Sequence, residues 1–149
     1  MIEAVGADAA ELLGQLHARA FDKPWSTAEI AKLLTNPAVF AVLARDAEPQ
    51  GFAMGWAAAG DAELLTIAVI PDARRRGVGA SLADAAGVAA LARGAATMHL
   101  EVAEDNSAGR ALYAKLGYEE VGRRPAYYAG NGRPVDAIVM KRALQQPHA

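Results

Sequence analysis

The segment "RRRGVGASL" at residues 74–82 lies between an apolar run, "ELLTIAVIPD" (63–72), and an alanine-rich stretch. The apolar run is typical of a buried strand, and the alanine-rich stretch is typical of a helix. Glycines at positions 77 and 79 let backbone amides approach a ligand at the first helical turn, where N–H groups lack partners and the dipole is positive. We therefore expect an anion site at this turn, and arginine side chains suit phosphate oxygens.

The turn has a simpler alternative interpretation, in which the arginines merely form a solvated basic loop. The surrounding sequence excludes two familiar phosphate motifs. The Gly-Lys-Ser ending of a Walker loop is missing, and residues 74–79 lack the complete dinucleotide fingerprint with its later acidic residue. Nucleotide hydrolysis and hydride transfer are therefore disfavoured, whereas a site for a pyrophosphate remains open.

The remaining pattern predicts one α/β domain, because 149 residues suffice for a single core. Helices are expected at about 8–20, 27–35, 79–93 and 106–117, and strands at about 1–5, 38–45, 51–58, 62–70, 97–103, 118–123 and 136–142. Ser26 and Glu29 form a capping box that starts the second helix. The segment 143–149 is expected to be a flexible tail.

Composition excludes several classes of function. Fifteen basic and seventeen acidic side chains produce no global positive field, so nucleic-acid binding is not expected. The absence of cysteine excludes disulfides and thiolate metal sites and fits the cytoplasm. His17, His99 and His148 lie far apart without metal-ligand spacing, so no metal site is expected. No apolar run reaches the roughly 18 residues that span a bilayer, so no membrane association is expected.

Two motifs together resemble a known family. Residues 67–79 look like motif A of the GCN5-related N-acetyltransferases (GNAT), Q/R-x-x-G-x-G/A, and "LEVAEDNSAGRALYAKLGY" (100–118) is similar to the family's "N…A…LY…GF" segment. Within the family, "PWS" (24–26) and "RRPAYYAGNGRPVDAIVMK" (123–141) most resemble the RimI-type ribosomal-protein-alanine N-acetyltransferases. The resemblance covers most of residues 24–141. It implies a GNAT fold, a mostly antiparallel mixed α/β sheet with two splayed parallel strands and about four helices.

The resemblance also implies where acetyl-CoA binds. The co-substrate would lie between the splayed strands 62–70 and 97–103, with the pantetheine arm on the first strand and the pyrophosphate on the glycine turn. The Val69 amide would stabilise the thioester oxyanion. Asn106 would contact the cofactor as well as cap a helix. The residues assigned to the cofactor are Ile67, Ala68, Val69, Arg74, Arg75, Arg76, Gly77, Val78, Gly79, Ala80 and Asn106.

Glu101 and Tyr113 are the catalytic residues that the resemblance implies. Glu101 would act as general base on the acceptor amine through an ordered water, and Tyr113 as general acid toward the departing sulfur. An N-terminal amine has a pKa near 8 against about 10.4 for lysine, so a modest base suffices for an N-terminus. The alternatives are that Glu101 pairs with an arginine and that Tyr113 is a core aromatic beside Leu112 and Leu116.

The acceptor groove is the least determined part of the site. Its candidates are Trp25, Glu104, Tyr127 and Tyr128, each of which has an alternative structural role. Glu104 would belong to an acidic rim that attracts a positively charged N-terminus. The sequence departs from the RimI pattern at Lys23, where histidine is expected, and in "RRPAYY", which is one residue longer than the family's segment. Both departures concern the acceptor.

The resemblance therefore implies a cytoplasmic, acetyl-CoA-dependent enzyme that acetylates the N-terminal α-amino group of a protein by direct attack in a ternary complex. The implied acceptor is the N-terminal alanine of a small-subunit ribosomal protein. Two alternatives remain open: acetylation of a small-molecule amine of polyamine or aminoglycoside type, and a non-catalytic acyl-CoA-binding module. The protein is expected to be a monomer or a weak dimer.

Overall fold

The computed structural model describes residues 1–129 and 134–144, which form a seven-stranded sheet with helices on both faces. The strands are β1 (Ile2–Val5), β2 (Val39–Arg45), β3 (Pro49–Ala58), β4 (Asp61–Val69), β5 (Thr97–Ala103), β6 (Glu119–Ala129) and β7 (Pro134–Ala143). The helices are α1 (Ala10–Ala20), α2 (Thr27–Leu34), α3 (Val78–Ala92) and α4 (Ser107–Lys115). The strand order is β1-β2-β3-β4-β5-β7-β6, in which β4 and β5 run parallel and the other neighbours antiparallel.

This mixed sheet confirms the predicted fold class, and the predicted helices and strands are present in the predicted order. The end of the chain differs from the prediction. Ala143 belongs to β7, and the Leu144 amide donates to the Ala96 carbonyl at 2.8 Å. Ala143 is therefore part of the sheet and Leu144 is hydrogen-bonded beside it, whereas both were expected in a flexible tail; residues 145–149 lie outside the described residues.

The β4 and β5 strands separate soon after they meet. They pair only from Asp61 to Glu63 of β4 with 97–99 of β5, whereas β4 stays paired with β3 as far as Val69. A bulge leaves Leu65 without an opposite residue on β3, and such an insertion bends a strand. Beyond the last paired residues, the two parallel strands therefore enclose an open space within the sheet.

Two hydrophobic cores hold the sheet between its helices. On one face, α3 buries Leu82, Ala86 and Ala90 against the strands, and its small side chains let the helix lie close to the sheet. On the other face, α1 and α2 bury Leu13 and Ile30. Fully burying a leucine or isoleucine side chain is worth about 1.5–3 kcal/mol. The two helix layers therefore fix both sides of the splayed strands.

The α1 and α2 helices approach each other closely at Gly14. A Cβ atom there would overlap with Thr27 at the start of α2, so a side chain at this position would push the helices apart. The predicted capping box is confirmed: Ser26 Oγ accepts the Glu29 amide at 3.1 Å, and Glu29 Oε1 accepts the Ser26 amide at 3.2 Å. These contacts fix the end of the α1–α2 loop.

A large bulge interrupts the β6–β7 pair. Three residues of β6 (125–127) lie opposite Asp136 alone, and Ala126 has a φ of 54°. The Asp136 carboxylate accepts the Ala126 amide at 2.8 Å and the Arg123 guanidinium at 2.9 Å. These hydrogen bonds, the amide first, lower the pKa of Asp136. The lengthened "RRPAYY" segment of the sequence is therefore accommodated as an arch that Asp136 anchors.

Within the described part of the chain, no helix is long and apolar enough to cross a membrane. The same residues contain no group of three or more histidine and acidic side chains arranged to hold a metal ion.

Candidate functional site

A cavity of about 630 Å³ occupies the space between the diverging β4 and β5 strands. Its walls come from both strands, the N-terminus of α3, one side of α4 and the end of α1. Of the residues assigned from the sequence, it is lined by Ile67, Val69, Arg74, Gly79, Glu101, Asn106 and Tyr113. The structure thus brings both proposed catalytic residues and both ends of the proposed cofactor site into one cavity.

The backbone of β4 offers its open edge to this cavity. The Ile70 amide donates to the Gln50 carbonyl of β3 at 3.0 Å. Successive N–H groups of a strand point to opposite edges, so the Val69 amide points away from β3, toward the gap. The Val69 carbonyl shares that edge, where it accepts Arg74 Nε at 3.1 Å. A donor therefore stands where the resemblance places an oxyanion contact.

Ile67 and Ala68 differ in what they offer a ligand. Ile67 lies two residues before Val69, so its amide shares the open edge, and its side chain lines the cavity. The Ala68 amide points toward β3, and the residue is only 1% exposed in the core. Ala68 therefore contributes packing rather than a direct contact, although the sequence assigned it to the cofactor with its neighbours.

The turn between β4 and α3 requires two unusual backbone conformations. Gly77 caps α3 with a φ of 79°, a left-handed conformation that favours glycine. Arg75 has a φ of 65°, which is uncommon for a residue with a side chain. A Cβ at Gly77 would meet no atom within 4 Å, so backbone conformation rather than space selects glycine there.

The first turn of α3 presents its amides at the mouth of this turn. The first hydrogen bond of the helix runs from the Ser81 amide to the Gly77 carbonyl at 3.0 Å. The amides of residues 78–80 precede it and so have no partner within the helix, and Gly77 supplies no side-chain cap. Gly79 lines the cavity. This arrangement of amides and helix dipole suits a diphosphate, as the sequence predicted.

The three arginines of the turn have different surroundings. Arg74 donates to the Val69 carbonyl and, through its terminal nitrogen, to the Ala20 carbonyl at 3.1 Å, so it ties the turn to β4 and α1. Arg75 and Arg76 are exposed. Arg76 lines two neighbouring depressions rather than the cavity between the strands. Arg74 therefore has a structural task in addition to its assignment as a phosphate ligand.

Glu101 lies on β5 with only 16% of its side chain exposed, and it lines the cavity. Its Oε1 is 2.7 Å from Nε of Arg124, the residue immediately before the arch of β6. The guanidinium carbon of Arg124 is 5.4 Å from the ring centroid of Tyr127. The arginine pairing that the sequence left open as an alternative is thus present together with the cavity position, and the two are compatible.

Tyr113 lies on α4, which forms one wall of the cavity, and Asn106 caps the N-terminus of this helix. Asn106 Oδ1 accepts the Gly109 amide at 3.0 Å, so its N-cap role is confirmed. The Tyr113 ring packs edge-on against Tyr118, with centroids 5.8 Å apart, and it also contacts the core. Tyr113 therefore combines the core position with the cavity position, the two alternatives that the sequence allowed.

Three acceptor candidates do not line this cavity in the described part of the chain. Trp25 stacks on His17 at 5.0 Å and packs against the α1–α2 core. Glu104 forms a 2.9 Å ion pair with Arg123. Tyr127 is 53% exposed on the arch. The side chain of Tyr128, the fourth candidate, lies outside the described residues.

Phe21 and Thr66 both line the cavity, although neither was predicted from the sequence as a site residue. Phe21 ends α1 as an exposed aromatic, and Thr66 is the polar residue within the apolar run of β4. An exposed aromatic beside the "PW" segment and a hydroxyl inside a buried strand were the signals available. Both residues contact His17, which entered the interpretation of the sequence only as a metal ligand that was not expected.

Comparison with known proteins agrees with this geometry. A family model described as Acetyltransferase (GNAT) family matches residues 9–118. The chain is 34% identical over 122 residues to the ribosomal protein bS18-alanine N-acetyltransferase of Escherichia coli (strain K12), covering 82% of each protein. It is 33% identical over 148 residues to the N-alpha-acetyltransferase RimI of Mycobacterium tuberculosis, covering 93% of this chain and 89% of that protein.

A solved structure and a longer relative are also similar to this chain. The crystal structure of the Escherichia coli ribosomal-protein-S18-alanine N-acetyltransferase superimposes with a TM-score of 0.83 at 29% identity, covering 99% of this chain and 97% of that one. The chain also matches an uncharacterized Mycobacterium leprae protein at 37% identity but spans only 37% of its length. The chain belongs to the acetyltransferase (GNAT) family and is an acetyl-CoA-dependent N-acetyltransferase.

Proposed function

We propose that this enzyme acetylates the N-terminal α-amino group of a protein, and that its acceptor is the N-terminal alanine of ribosomal protein bS18. The observation that carries the proposal is Glu101, a largely buried carboxylate in the cavity between the splayed strands. Relatives of this chain are named for the acetylation of a protein N-terminus, which also supports the proposal. The acceptor amine would reach this carboxylate from the side of the cavity opposite the α3 turn.

The residues present fit acetyl-CoA. The amides of residues 78–80 and the positive end of α3 would hold the diphosphate. Val69 lies beside the α3 turn, since a Cβ at Gly79 would be 3.9 Å from its side chain. Its amide, on the open edge of β4, would therefore donate to the pantetheine arm, and the Ile67 amide, farther along the same edge, would be left for the acetyl oxygen. Gly79 keeps the entrance free of a side chain. Bound in this way, acetyl-CoA supplies the activated acetyl group between Glu101 and Tyr113.

Three groups of the chain assist the transfer. The acceptor nitrogen forms a bond to the acetyl carbon while the carbon–sulfur bond breaks. The Glu101 carboxylate takes the proton that the amine loses, directly or through one water. The Ile67 amide donates to the oxygen on which negative charge develops. Tyr113 hydrogen-bonds to the departing sulfur and provides its proton, which returns to the phenol from solvent.

Arg124 has to leave Glu101 when the acceptor arrives. The guanidinium now holds the carboxylate at 2.7 Å, and a protonated N-terminus needs the same oxygens before it loses its proton. The Arg124 side chain is 59% exposed, so the displaced guanidinium returns to water, while the ammonium of the acceptor replaces its charge beside the largely buried Glu101 carboxylate. This exchange is therefore inexpensive, and the Tyr127 ring gives the displaced cation a second partner.

The Arg124→Gln variant is expected to lower the KM for the acceptor about two- to fivefold, because the acceptor amine no longer has to displace a cation from Glu101. Steady-state kinetics with an N-terminal alanine peptide measure this effect. Arg45→Gln is the matched control, since Arg45 pairs with Glu3 at 3.5 Å, far from the cavity. An acceptor KM that is unchanged or raised in Arg124→Gln contradicts the exchange.

A panel of acceptors tests the proposed function. Release of CoA is followed with an N-terminal alanine peptide of bS18, the same peptide with a blocked N-terminus and an internal lysine, a polyamine and an aminoglycoside. We expect turnover of the free N-terminus and little of the blocked peptide, since lysine holds its proton more tightly. Faster turnover of a small amine would favour the small-molecule enzyme, and acetyl-CoA binding without turnover would favour a binding module.

A further inference from the structure

His17 is a buried polar residue with both ring nitrogens engaged. It is 3% exposed and lies on the inner face of α1. Its Nδ1 accepts the Trp25 amide at 3.1 Å, and its Nε2 lies 3.2 Å from Thr66 Oγ1. Because a protonated nitrogen cannot accept a hydrogen bond, the Trp25 contact requires an unprotonated Nδ1. His17 is therefore neutral, with its proton on Nε2 and directed to Thr66.

These contacts connect the α1–α2 loop to the cavity. Thr66 lies on β4 in the stretch that has already separated from β5, and it lines the cavity. The imidazole ring stacks on Phe21 at 4.5 Å and on Trp25 at 5.0 Å, from the two ends of the loop. Phe21 lines the cavity as well. One ring thus holds both aromatic residues of the loop against the splayed strand.

We propose that neutral His17 is a positioning residue that holds loop 21–26 against β4, and thereby places Phe21 at the acceptor side of the cavity. Protonation of Nδ1 releases the loop, because the imidazolium would turn a donor toward the Trp25 amide. The assignment of this side to the acceptor rests on the proposed function. The linkage between His17 and the loop does not.

The charges around His17 favour the neutral ring. Burial lowers the pKa of His17, and Glu29 on α2 opposes this shift. The charged residues of the loop, Asp22 and Lys23, are exposed. Arg74 donates a hydrogen bond to the Ala20 carbonyl at the end of α1, next to the loop. A depressed pKa in the folded protein means that the stabilisation is complete above about pH 6.5 and is lost as the pH falls through the lower folded value.

Fluorescence of Trp25 reports the state of the loop without any acceptor. The chain has two tryptophans, so Trp56→Phe leaves Trp25 as the only one. Release of the loop moves the indole ring away from the imidazole and exposes it to water, which shifts its emission to longer wavelength. We expect a sigmoidal change in Trp25 emission as the pH is lowered below about 6.5. His99→Asn in the same background is the control that should keep this change.

Two substitutions at His17 test whether this side chain holds the loop and whether its protonation releases it. His17→Asn places an amide oxygen near the position of Nδ1, so it can still accept the Trp25 amide but cannot titrate. We expect the emission change to disappear in this variant and the acceptor KM at neutral pH to stay within about threefold of wild type. His17→Leu should raise the acceptor KM about tenfold and leave the Kd for acetyl-CoA unchanged.

The outcomes separate this inference from the proposed function. An emission change that persists in His17→Asn, or an acceptor KM unaltered in a folded His17→Leu protein, overturns the role of His17. If the emission change depends on His17 but no N-terminal peptide is acetylated, the linkage stands and the acceptor assignment fails. Circular dichroism of each variant confirms that it is folded.

Discussion

Replacing Glu101 by glutamine is expected to lower kcat by about 10²–10⁴-fold, the usual contribution of a general base. The amide keeps the shape of the side chain but cannot take the amine proton. The Kd for acetyl-CoA should change little, because Glu101 lies on β5 rather than at the α3 turn. Stopped assays with an N-terminal alanine peptide and calorimetry with acetyl-CoA measure the two effects separately.

The pH dependence and a matched variant make this prediction specific. Raising the pH toward about 9 should partly restore the rate of Glu101→Gln, since the acceptor amine then loses its proton to solvent. Glu104→Gln is the control, because Glu104 pairs with Arg123 and does not line the cavity in the described part of the chain. A near-normal kcat in Glu101→Gln would contradict the role as general base. Glu101 would then serve only to pair with Arg124.

Replacing Gly79 by leucine is expected to weaken acetyl-CoA binding at least about 100-fold, or about 2.7 kcal/mol. A Cβ at this position would lie 3.6 Å from Leu112 and 3.9 Å from Val69, which is ordinary contact, so the Cβ itself fits. The remainder of a leucine side chain has to project into the cavity beside the amides of residues 78–80. Calorimetric titration with acetyl-CoA measures the loss.

Gly79→Ala is the matched control, because it adds only the methyl group that the structure accommodates. Its affinity should stay within a few-fold of wild type, and thermal melting should show that both variants are folded. An unimpaired affinity in Gly79→Leu would mean that the diphosphate binds elsewhere. The α3 turn would then be the solvated basic loop that the sequence also allowed.

Most of the fold followed from local patterns in the sequence. The capping box at Ser26 and the alanine-rich α3 are determined by residues close together in the chain, so their boundaries were predicted to within a few residues. The splay of β4 from β5 was available only through the family resemblance. It depends on a short pairing between distant segments and on a bulge at Leu65, which no periodicity reveals.

The position of the residues predicted to be catalytic was anticipated better than that of the residues predicted to bind the acceptor. Glu101 and Tyr113 belong to continuous motifs, and both line the cavity. Trp25 was assigned to the acceptor groove, but it packs on His17, and Phe21 lines the cavity instead. The difference arises because His17 determines where the rings of Phe21 and Trp25 lie. The contact of His17 with Thr66 joins α1 to β4, and the sequence gives no sign of it.

A crystal structure with a bisubstrate analogue, in which CoA is joined through an acetyl group to the nitrogen of an N-terminal alanine peptide, tests the central claim most directly. We expect the diphosphate on the amides of residues 78–80, the linking carbonyl within hydrogen-bond distance of the Ile67 amide, and the alanine nitrogen within reach of Glu101 directly or through one water, at about 2.6–3.2 Å per hydrogen bond. An analogue bound outside the space between β4 and β5, or with its nitrogen remote from Glu101, would contradict it.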